Sequence, residues 1–135
     1  MRMQPVIAVV DNDEPFRDLL TDLLSDEGYR VVTSTTVAGA LETIRQARPA
    51  LVILDLRMET PDAGIQIIRA VRGNPLTATL PLLICSADVA GIASHAAFLQ
   101  EQRVPALSKP FDLDQLLGLV RQLIAPSGAS DAQGA

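Results

Sequence analysis

Five apolar runs alternate with five stretches of helical periodicity along this chain. The apolar runs, which are typical of strands, cover residues 6–10, 30–34, 50–54, 81–86 and 104–108. The first, third and fourth are continuous apolar runs, as expected for strands covered on both faces in a parallel sheet. The period of about 3.6 in the segments that follow them predicts a helix beginning near residue 14 and helices over residues 37–48, 64–72, 91–102 and 112–124.

This alternation of strands and helices predicts an α/β fold. Strands joined by helices form a parallel sheet with right-handed crossovers. The simplest five-stranded arrangement is a flavodoxin-like, doubly wound parallel sheet in the order 2-1-3-4-5, with five helices. The fourth helix has the weakest periodicity because its sequence, GIASHAAFLQEQ, mixes small and polar residues.

Composition indicates a single domain with an aliphatic core. The chain has 135 residues, of which 48% are hydrophobic and only 3% aromatic. We assign residues 1–125 to this domain. Residues 126–135 are small and polar, and we predict that they form a disordered tail.

Charge and targeting features argue against several classes of protein. The formal net charge of −5 argues against nucleic-acid binding, which needs a basic face. The sequence lacks an apolar stretch of the roughly 18 residues that a membrane helix requires, and its start lacks the features of a signal peptide. The single cysteine, Cys85, excludes an internal disulfide and a multi-cysteine zinc site. We therefore expect a cytoplasmic protein that binds neither membranes nor nucleic acid.

Polar residues lie at or just after the ends of four of the five predicted strands. They are Asp11-Asn12-Asp13, Asp55, Ser86 and Lys109. Because parallel strands have their carboxyl ends at one edge of the sheet, we expect these residues to meet there. Acidic oxygens suit Mg²⁺, a strand-end carboxylate can attack phosphorus, and a hydroxyl and a lysine can bind phosphoryl oxygens. Each residue alone also has a structural explanation, as a helix cap, a common strand-end serine or a surface lysine.

Four segments, taken in order, resemble the receiver domain of bacterial two-component response regulators over about residues 5–124. They are VVDNDEPFRDLL, LVILDLRM, CSA and SKPFDLDQLL. The resemblance implies that Asp55 accepts a phosphoryl group from a sensor histidine kinase or phosphotransfer protein, while Ser86 and Lys109 bond the phosphoryl oxygens. Such a protein is not an enzyme, although it can lose its phosphate to water. It would act as a stand-alone, chemotaxis-like receiver that binds a downstream protein. A homodimer through the fourth helix, fifth strand and fifth helix is left open.

The resemblance also implies a Mg²⁺ site, and here the sequence departs from the family. The implied ligands are Asp11, Asn12, Asp55 and the backbone carbonyl of Arg57. The family usually has a second acid at the position of Asn12, so one negative charge is missing. We expect Mg²⁺ to bind more weakly as a result.

Two further departures concern the loop after Asp55 and the route of the output signal. The loop METPDAGIQII is one residue longer than the usual form, with Gly64 as the family glycine. Ala106 stands three residues before Lys109, where the family often has an aromatic side chain that reorients on phosphorylation. Since alanine cannot make that change, we expect the output to run through loop or fourth-helix movement.

Two alternatives stand beside this interpretation. The first is a pseudo-receiver, the same fold used as a phosphorylation-independent binding module, which Asn12 and Ala106 favour. The second is a haloacid-dehalogenase-like phosphatase with Asp11 as the nucleophile and Asp13 as the acid/base. That family needs a later pair of metal-binding acids after a strand, whereas Asp112 and Asp114 open a predicted helix.

Overall fold

The computed structural model describes residues 4–125 and contains a five-stranded parallel sheet in the order β2-β1-β3-β4-β5. The strands are β1 (Val6–Val10), β2 (Arg30–Ser34), β3 (Leu51–Leu54), β4 (Leu82–Ser86) and β5 (Ala106–Ser108). Both the flavodoxin-like order and the position of each strand, within two residues, agree with the prediction. The predicted tail, residues 126–135, lies outside the described residues, as do residues 1–3.

Six helices are present within residues 4–125. They are α1 (Glu14–Asp26), α2 (Val37–Ala47), α3 (Ala63–Arg72), α4 (Val89–Ser94), α5 (Ala96–Glu101) and α6 (Leu113–Ile124). The count differs from the expected five because the predicted fourth helix, 91–102, is two short helices that meet at His95. The physical reason is the lack of an apolar stripe: α4 buries none of its residues and α5 buries only Leu99. No helix in this range is long and apolar enough to cross a membrane.

The sheet separates two aliphatic layers, and the alternation of side chains along the central strands supplies both. Ala8 and Val52 pack with residues of α2 and α3 on one face. Ile7 and Leu51, their neighbours in sequence, pack with residues of α1 and α6 on the other face. All four are fully buried. Burial on both faces explains why β1 and β3 are continuous apolar runs.

The strand register brings the predicted polar residues to the carboxyl edge of the sheet. Val10 pairs with Leu54 across β1 and β3, so Asp11 and Asp55 follow neighbouring strand ends. The amide of Asp55 donates to the Val10 carbonyl at 3.1 Å. At the other side of the site, the amide of Lys109 donates to the Ser86 carbonyl at 2.8 Å. The backbone thus positions the groups on which the site depends.

Gly64 allows α3 to start directly against the backbone of Asp55 and Leu56, which follow β3. Its amide donates to the Leu56 carbonyl at 2.9 Å. A Cβ at this position would lie 2.5 Å from the Asp55 carbonyl oxygen and 2.8 Å from the Leu56 Cα, both rigid backbone atoms. The residue at position 64 therefore needs to be glycine for α3 to begin here.

Replacing Gly64 with alanine should force the strand end and α3 apart. We expect Gly64→Ala to lower the free energy of unfolding by about 2 kcal/mol in urea denaturation, the range for overpacking. Gly118→Ala in α6 is the matched control, since a Cβ there meets nothing within 4 Å. The control should gain up to about 1 kcal/mol of stability because alanine favours helix. Equal effects of the two changes would contradict the proposed close approach.

Candidate functional site

The ammonium group of Lys109 lies between two carboxylates that come from different strands. Its Nζ donates to Asp11 Oδ2 at 2.7 Å and to Asp55 Oδ2 at 3.4 Å. The side chains of Asp11, Asp55 and Lys109 are 1%, 14% and 17% exposed, respectively. Predicted residues from three strand ends therefore meet in one largely buried cluster, with Asp55 and Lys109 still accessible to solvent.

The pKa values of Asp11 and Lys109 are both shifted by this arrangement. Burial raises the pKa of the Asp11 carboxyl, and the lowering by Lys109 does not fully offset this effect. Burial lowers the pKa of Lys109, but its hydrogen bond to Asp11 and the charges of Asp11 and Asp55 outweigh burial, so the pKa is raised overall. Lys109 is thus a permanent cation at neutral pH.

Only one member of the Asp11-Asn12-Asp13 cluster lies inside the site. Asp11 Oδ1 accepts from the amide of Asp13 at 2.9 Å, and the Asp11 carbonyl accepts from Arg17 Nη1 at 2.9 Å. By contrast, Asn12 and Asp13 are exposed. The backbone turn after β1 therefore directs the carboxylate of Asp11 inward.

The donor set at this edge fits a hard cation that keeps much of its water. Asp11 and Asp55 offer two carboxylates that share Lys109, and Asp55 Oδ1 accepts from the amide of Arg57 at 3.3 Å. Within residues 4–125, no three His, Cys, Asp or Glu side chains form a cluster suited to a metal ion. Mg²⁺ commonly binds through one or two carboxylates, with waters and phosphate oxygens completing its shell.

Ser86 lies at the same edge but contacts the loop after β4 rather than the carboxylates. It is 1% exposed, and its Oγ accepts from the amide of Asp88 at 3.1 Å. Asp88 in turn caps α4 by accepting from the amide of Gly91 at 2.9 Å, and lies 3.8 Å from Arg57 Nη1. The hydroxyl of Ser86 keeps its proton available for a ligand, and Asp88 links the loops that follow β3 and β4.

Phe16 also belongs to this site, a position that the sequence pattern did not predict. The Nζ of Lys109 lies 3.8 Å from the centroid of the Phe16 ring, within cation–π distance. Phe111 meets the same ring edge to face, with the centroids 6.1 Å apart. The sequence offered one hint of this role: two of the three phenylalanines of the chain, Phe16 and Phe111, lie close to the polar residues Asp11 and Lys109.

The loop after Asp55 also reaches a neighbouring helix, a contact that the sequence did not predict. Glu59 Oε2 accepts from the amide of Val37, the first residue of α2, at 2.8 Å. A carboxylate at a helix amino terminus satisfies a free N–H and complements the helix dipole. This hydrogen bond therefore holds the loop after Asp55 against the start of α2.

Cys85 and His95 do not join the cluster. Burial raises the pKa of the Cys85 thiol to about 12, so this side chain is protonated and unreactive at neutral pH. His95 lies at the junction of α4 and α5, where its Nδ1 is 2.9 Å from the Gly91 carbonyl oxygen. The chemistry of this edge thus depends on carboxylates, a hydroxyl and an ammonium group.

Comparison with known proteins gives consistent matches. Residues 7–121 match the sequence profile of the response regulator receiver domain. Response regulator MprA of Mycobacterium tuberculosis is 33% identical over 126 residues, which cover 93% of this chain and 53% of MprA. An uncharacterized 14.6 kDa protein of Leptolyngbya boryana is 35% identical over 116 residues, covering 86% of this chain and 87% of that protein. The chain spans about half the length of MprA.

Solved structures show the same fold. A response regulator receiver protein from Pseudomonas putida superimposes with a TM-score of 0.80 at 31% identity, covering 90% of this chain and 99% of that one. The non-phosphorylated HemR receiver domain from Leptospira biflexa gives a TM-score of 0.78 at 27% identity, covering 91% and 96%. The similarity therefore extends over nearly the whole of the described region.

Replacing Lys109 with methionine should leave two neighbouring carboxylates without their shared cation. Because the pKa of Lys109 is raised, its contribution to stability is fully present below its ordinary value of 10.5 and is lost as the pH rises through the higher folded value. In urea denaturation at pH 7 we expect Lys109→Met to lose about 2 kcal/mol. The difference from the wild type should shrink above pH 10.5.

A matched control for this change is Arg45→Met. It also removes a cation from an ion pair, but the side chains of Arg45 and Glu42 are 69% and 50% exposed. The control should alter unfolding little at any pH, since exposed pairs are weak. If the loss of unfolding free energy in Lys109→Met stayed constant as the pH rose above 10.5, the charge of Lys109 would not be what stabilises the site.

Proposed function

Because the chain belongs to the response regulator receiver domain family, we propose that it is a phospho-acceptor of a two-component phosphorelay. Asp55 would be phosphorylated by a histidine kinase or phosphotransfer protein, and the phosphorylated chain would signal by binding another protein. The observation that carries this proposal is the position of Lys109, whose ammonium group touches both Asp11 and Asp55 at 2.7 Å and 3.4 Å.

The proposed chemistry is attack by an Asp55 carboxylate oxygen on the phosphorus of a phosphohistidine. A P–O bond forms as the P–N bond breaks, and the imidazole leaves with the electron pair of that bond. Lys109 would turn from Asp11 to the incoming phosphoryl oxygens, and the hydroxyl of Ser86 would donate to another of them. Such transfer depends mostly on positioning and charge neutralisation. Water later hydrolyses the acyl phosphate, which releases inorganic phosphate and regenerates the Asp55 carboxylate.

The metal expected at this site is Mg²⁺. We propose that Asp11, Asp55 and the backbone carbonyl of Arg57 hold it, with the amide oxygen of Asn12 as a neutral ligand. Mg²⁺ would neutralise charge on the phosphoryl oxygens. Because Asn12 is exposed and uncharged, it contributes less to binding than the usual second carboxylate. We therefore propose a weakened metal site.

We propose that phosphorylation is transmitted to a partner by a conformational change in the loop after β4 and in α4. Ser86 Oγ now accepts from the amide of Asp88, and this hydrogen bond would be lost when Ser86 turns to a phosphoryl oxygen. Asp88 caps α4, which has no fully buried residue and packs against the core through the partly buried Ile92, so this helix is weakly packed. Ala106 has no side chain that can reorient. The face of α4 and β5, with α6 beside it, is thus the proposed surface for a protein partner or a second copy.

Phosphorylation should occur without a kinase if a small donor is supplied. We expect acetyl phosphate with Mg²⁺ to produce one phosphoryl adduct, followed by intact mass, which Asp55→Asn abolishes. Ser86→Ala and Asp11→Asn should slow the reaction by about tenfold or more, since each removes a group near the phosphoryl or the metal. Asp114→Asn, an exposed acid at the start of α6, is the matched control and should react normally.

Two other results of the acetyl phosphate experiment would point to a different function. A folded wild-type protein that forms no adduct at any Mg²⁺ concentration would contradict the phosphorelay function and leave a phosphorylation-independent binding module. Hydrolysis of phosphate esters that depends on Asp11 would indicate a phosphatase instead.

Restoring the missing acid should strengthen metal binding. We expect Asn12→Asp to lower the Mg²⁺ concentration for half-maximal phosphorylation by about tenfold, because it adds a charged ligand. Asn74→Asp makes the same amide-to-carboxylate change in the loop after α3 and should have no effect. An unchanged Mg²⁺ requirement in Asn12→Asp would show that residue 12 is not a ligand.

A further inference from the structure

Three arginines lie together near the edge of the sheet opposite Asp55. Arg69 and Arg72 occupy the last turn of α3, and Arg103 follows α5. The guanidinium of Arg72 is held by two backbone carbonyls, with Nε donating to Gln102 at 3.0 Å and Nη1 donating to Leu80 at 2.6 Å. These two carbonyls precede β5 and β4, which places the cluster at the amino ends of those strands.

An aromatic ring and an open depression accompany the charges. The guanidinium carbon of Arg69 lies 4.8 Å from the ring centroid of Phe98 on α5. Arg69, Arg72, Phe98 and Gln102 line a shallow depression of about 350 Å³. The lining of this depression thus includes the fixed guanidinium of Arg72 and the guanidinium of Arg69, which lies over the Phe98 ring.

The positive charge of this cluster has no acidic partner in the described part of the chain. Among the ion pairs of residues 4–125, none involves Arg69, Arg72 or Arg103. Burial and, to a smaller extent, the charge of Arg103 lower the pKa of Arg72, so Arg103 adds like charge to this surface. In a chain with a net charge of −5, this is a local basic surface.

Arg103 stands where the backbone favours glycine. Its φ is +59°, in the left-handed region. The amides of Arg103 and Val104 donate back to the carbonyls of Gln100 and Leu99 at 3.0 and 2.8 Å, the pattern of a helix end that is usually completed by glycine. A long cation at this position brings backbone strain and like-charge repulsion, so the fold alone does not explain it.

We propose that this arginine cluster (Arg69, Arg72 and Arg103, with Phe98) is a docking site for an acidic segment of a partner protein. Guanidinium groups bind carboxylates through paired N–H donors, and those of Arg72 that do not bond the two carbonyls remain free for this purpose. Three cations on two elements match several carboxylates along an extended segment better than they match a single small anion. Opposite charges would also attract an acidic segment to this basic surface and speed its association.

The docking site is separate from the phosphorylation edge. Helix α3 begins beside Asp55 and ends at Arg72, about 15 Å away at the rise of an α-helix. A partner held there would leave Asp55 open to its donor. The proposal therefore does not depend on phosphorylation, and Arg103→Gly should react with acetyl phosphate like the wild type.

The test uses the full chain and a fluorescein-labelled oligoglutamate peptide, with binding followed by fluorescence anisotropy at low salt. We expect Arg103→Gly and Arg69→Gln each to weaken binding about fivefold, and added salt to weaken it further. Arg103→Gly should unfold at an equal or higher urea concentration, because it relieves the left-handed residue, so misfolding cannot explain a loss. Arg48→Gly is the matched control: Arg48 also has a positive φ, of +48°, at the end of another helix, α2.

Three results would overturn the proposal. The first is an equal loss in Arg48→Gly, which would mean that only net charge matters. The second is the absence of peptide binding by the wild type at low salt. The third is binding of inorganic pyrophosphate without binding of the peptide, which would indicate a small-anion site instead.

Discussion

The contact of one ammonium group with two carboxylates determines how this molecule is organised. Asp11 and Asp55 follow adjacent strands and are largely removed from water, so their charges would repel each other without a cation between them. Lys109, the only lysine of the chain, reaches both from the end of β5. The requirement that β1, β3 and β5 all end at this point constrains the register of the sheet and the turn after each strand. It also leaves an accessible carboxylate beside a permanent cation, the arrangement that phosphoryl acceptance needs.

The surroundings of this contact differ in rigidity. Gly64 brings the start of α3 against the backbone of Asp55 and Leu56, and Phe16 covers one side of the Lys109 ammonium group. By contrast, α4 has no fully buried residue and is held by the cap from Asp88 and the partly buried side chain of Ile92. A rigid acceptor beside a weakly packed helix is a suitable arrangement for a switch, because a change of one hydrogen-bond partner can shift the helix without disturbing the core.

Strand order and the placement of Asp11, Asp55, Ser86 and Lys109 at one edge could be predicted, since both follow from apolar runs alternating with amphipathic segments. The break at His95 was not predicted, because weak periodicity does not locate where a helix ends. Phe16 and Asp88 were missed as site residues because their roles come from contacts with residues distant in sequence or from loop geometry. The sequence placed Asn12 at the end of a strand, but its role as a metal ligand was inferred only from the family resemblance.

The proposed function requires Asp55 to be the residue that carries phosphate. The most direct test is to treat the phosphorylated chain with borohydride, which reduces an acyl phosphate to an alcohol and so converts the modified aspartate to homoserine, and then to locate that residue by tandem mass spectrometry. We predict homoserine at position 55 and at no other aspartate. Homoserine at position 11, or no homoserine in a chain that carries phosphate, would contradict it.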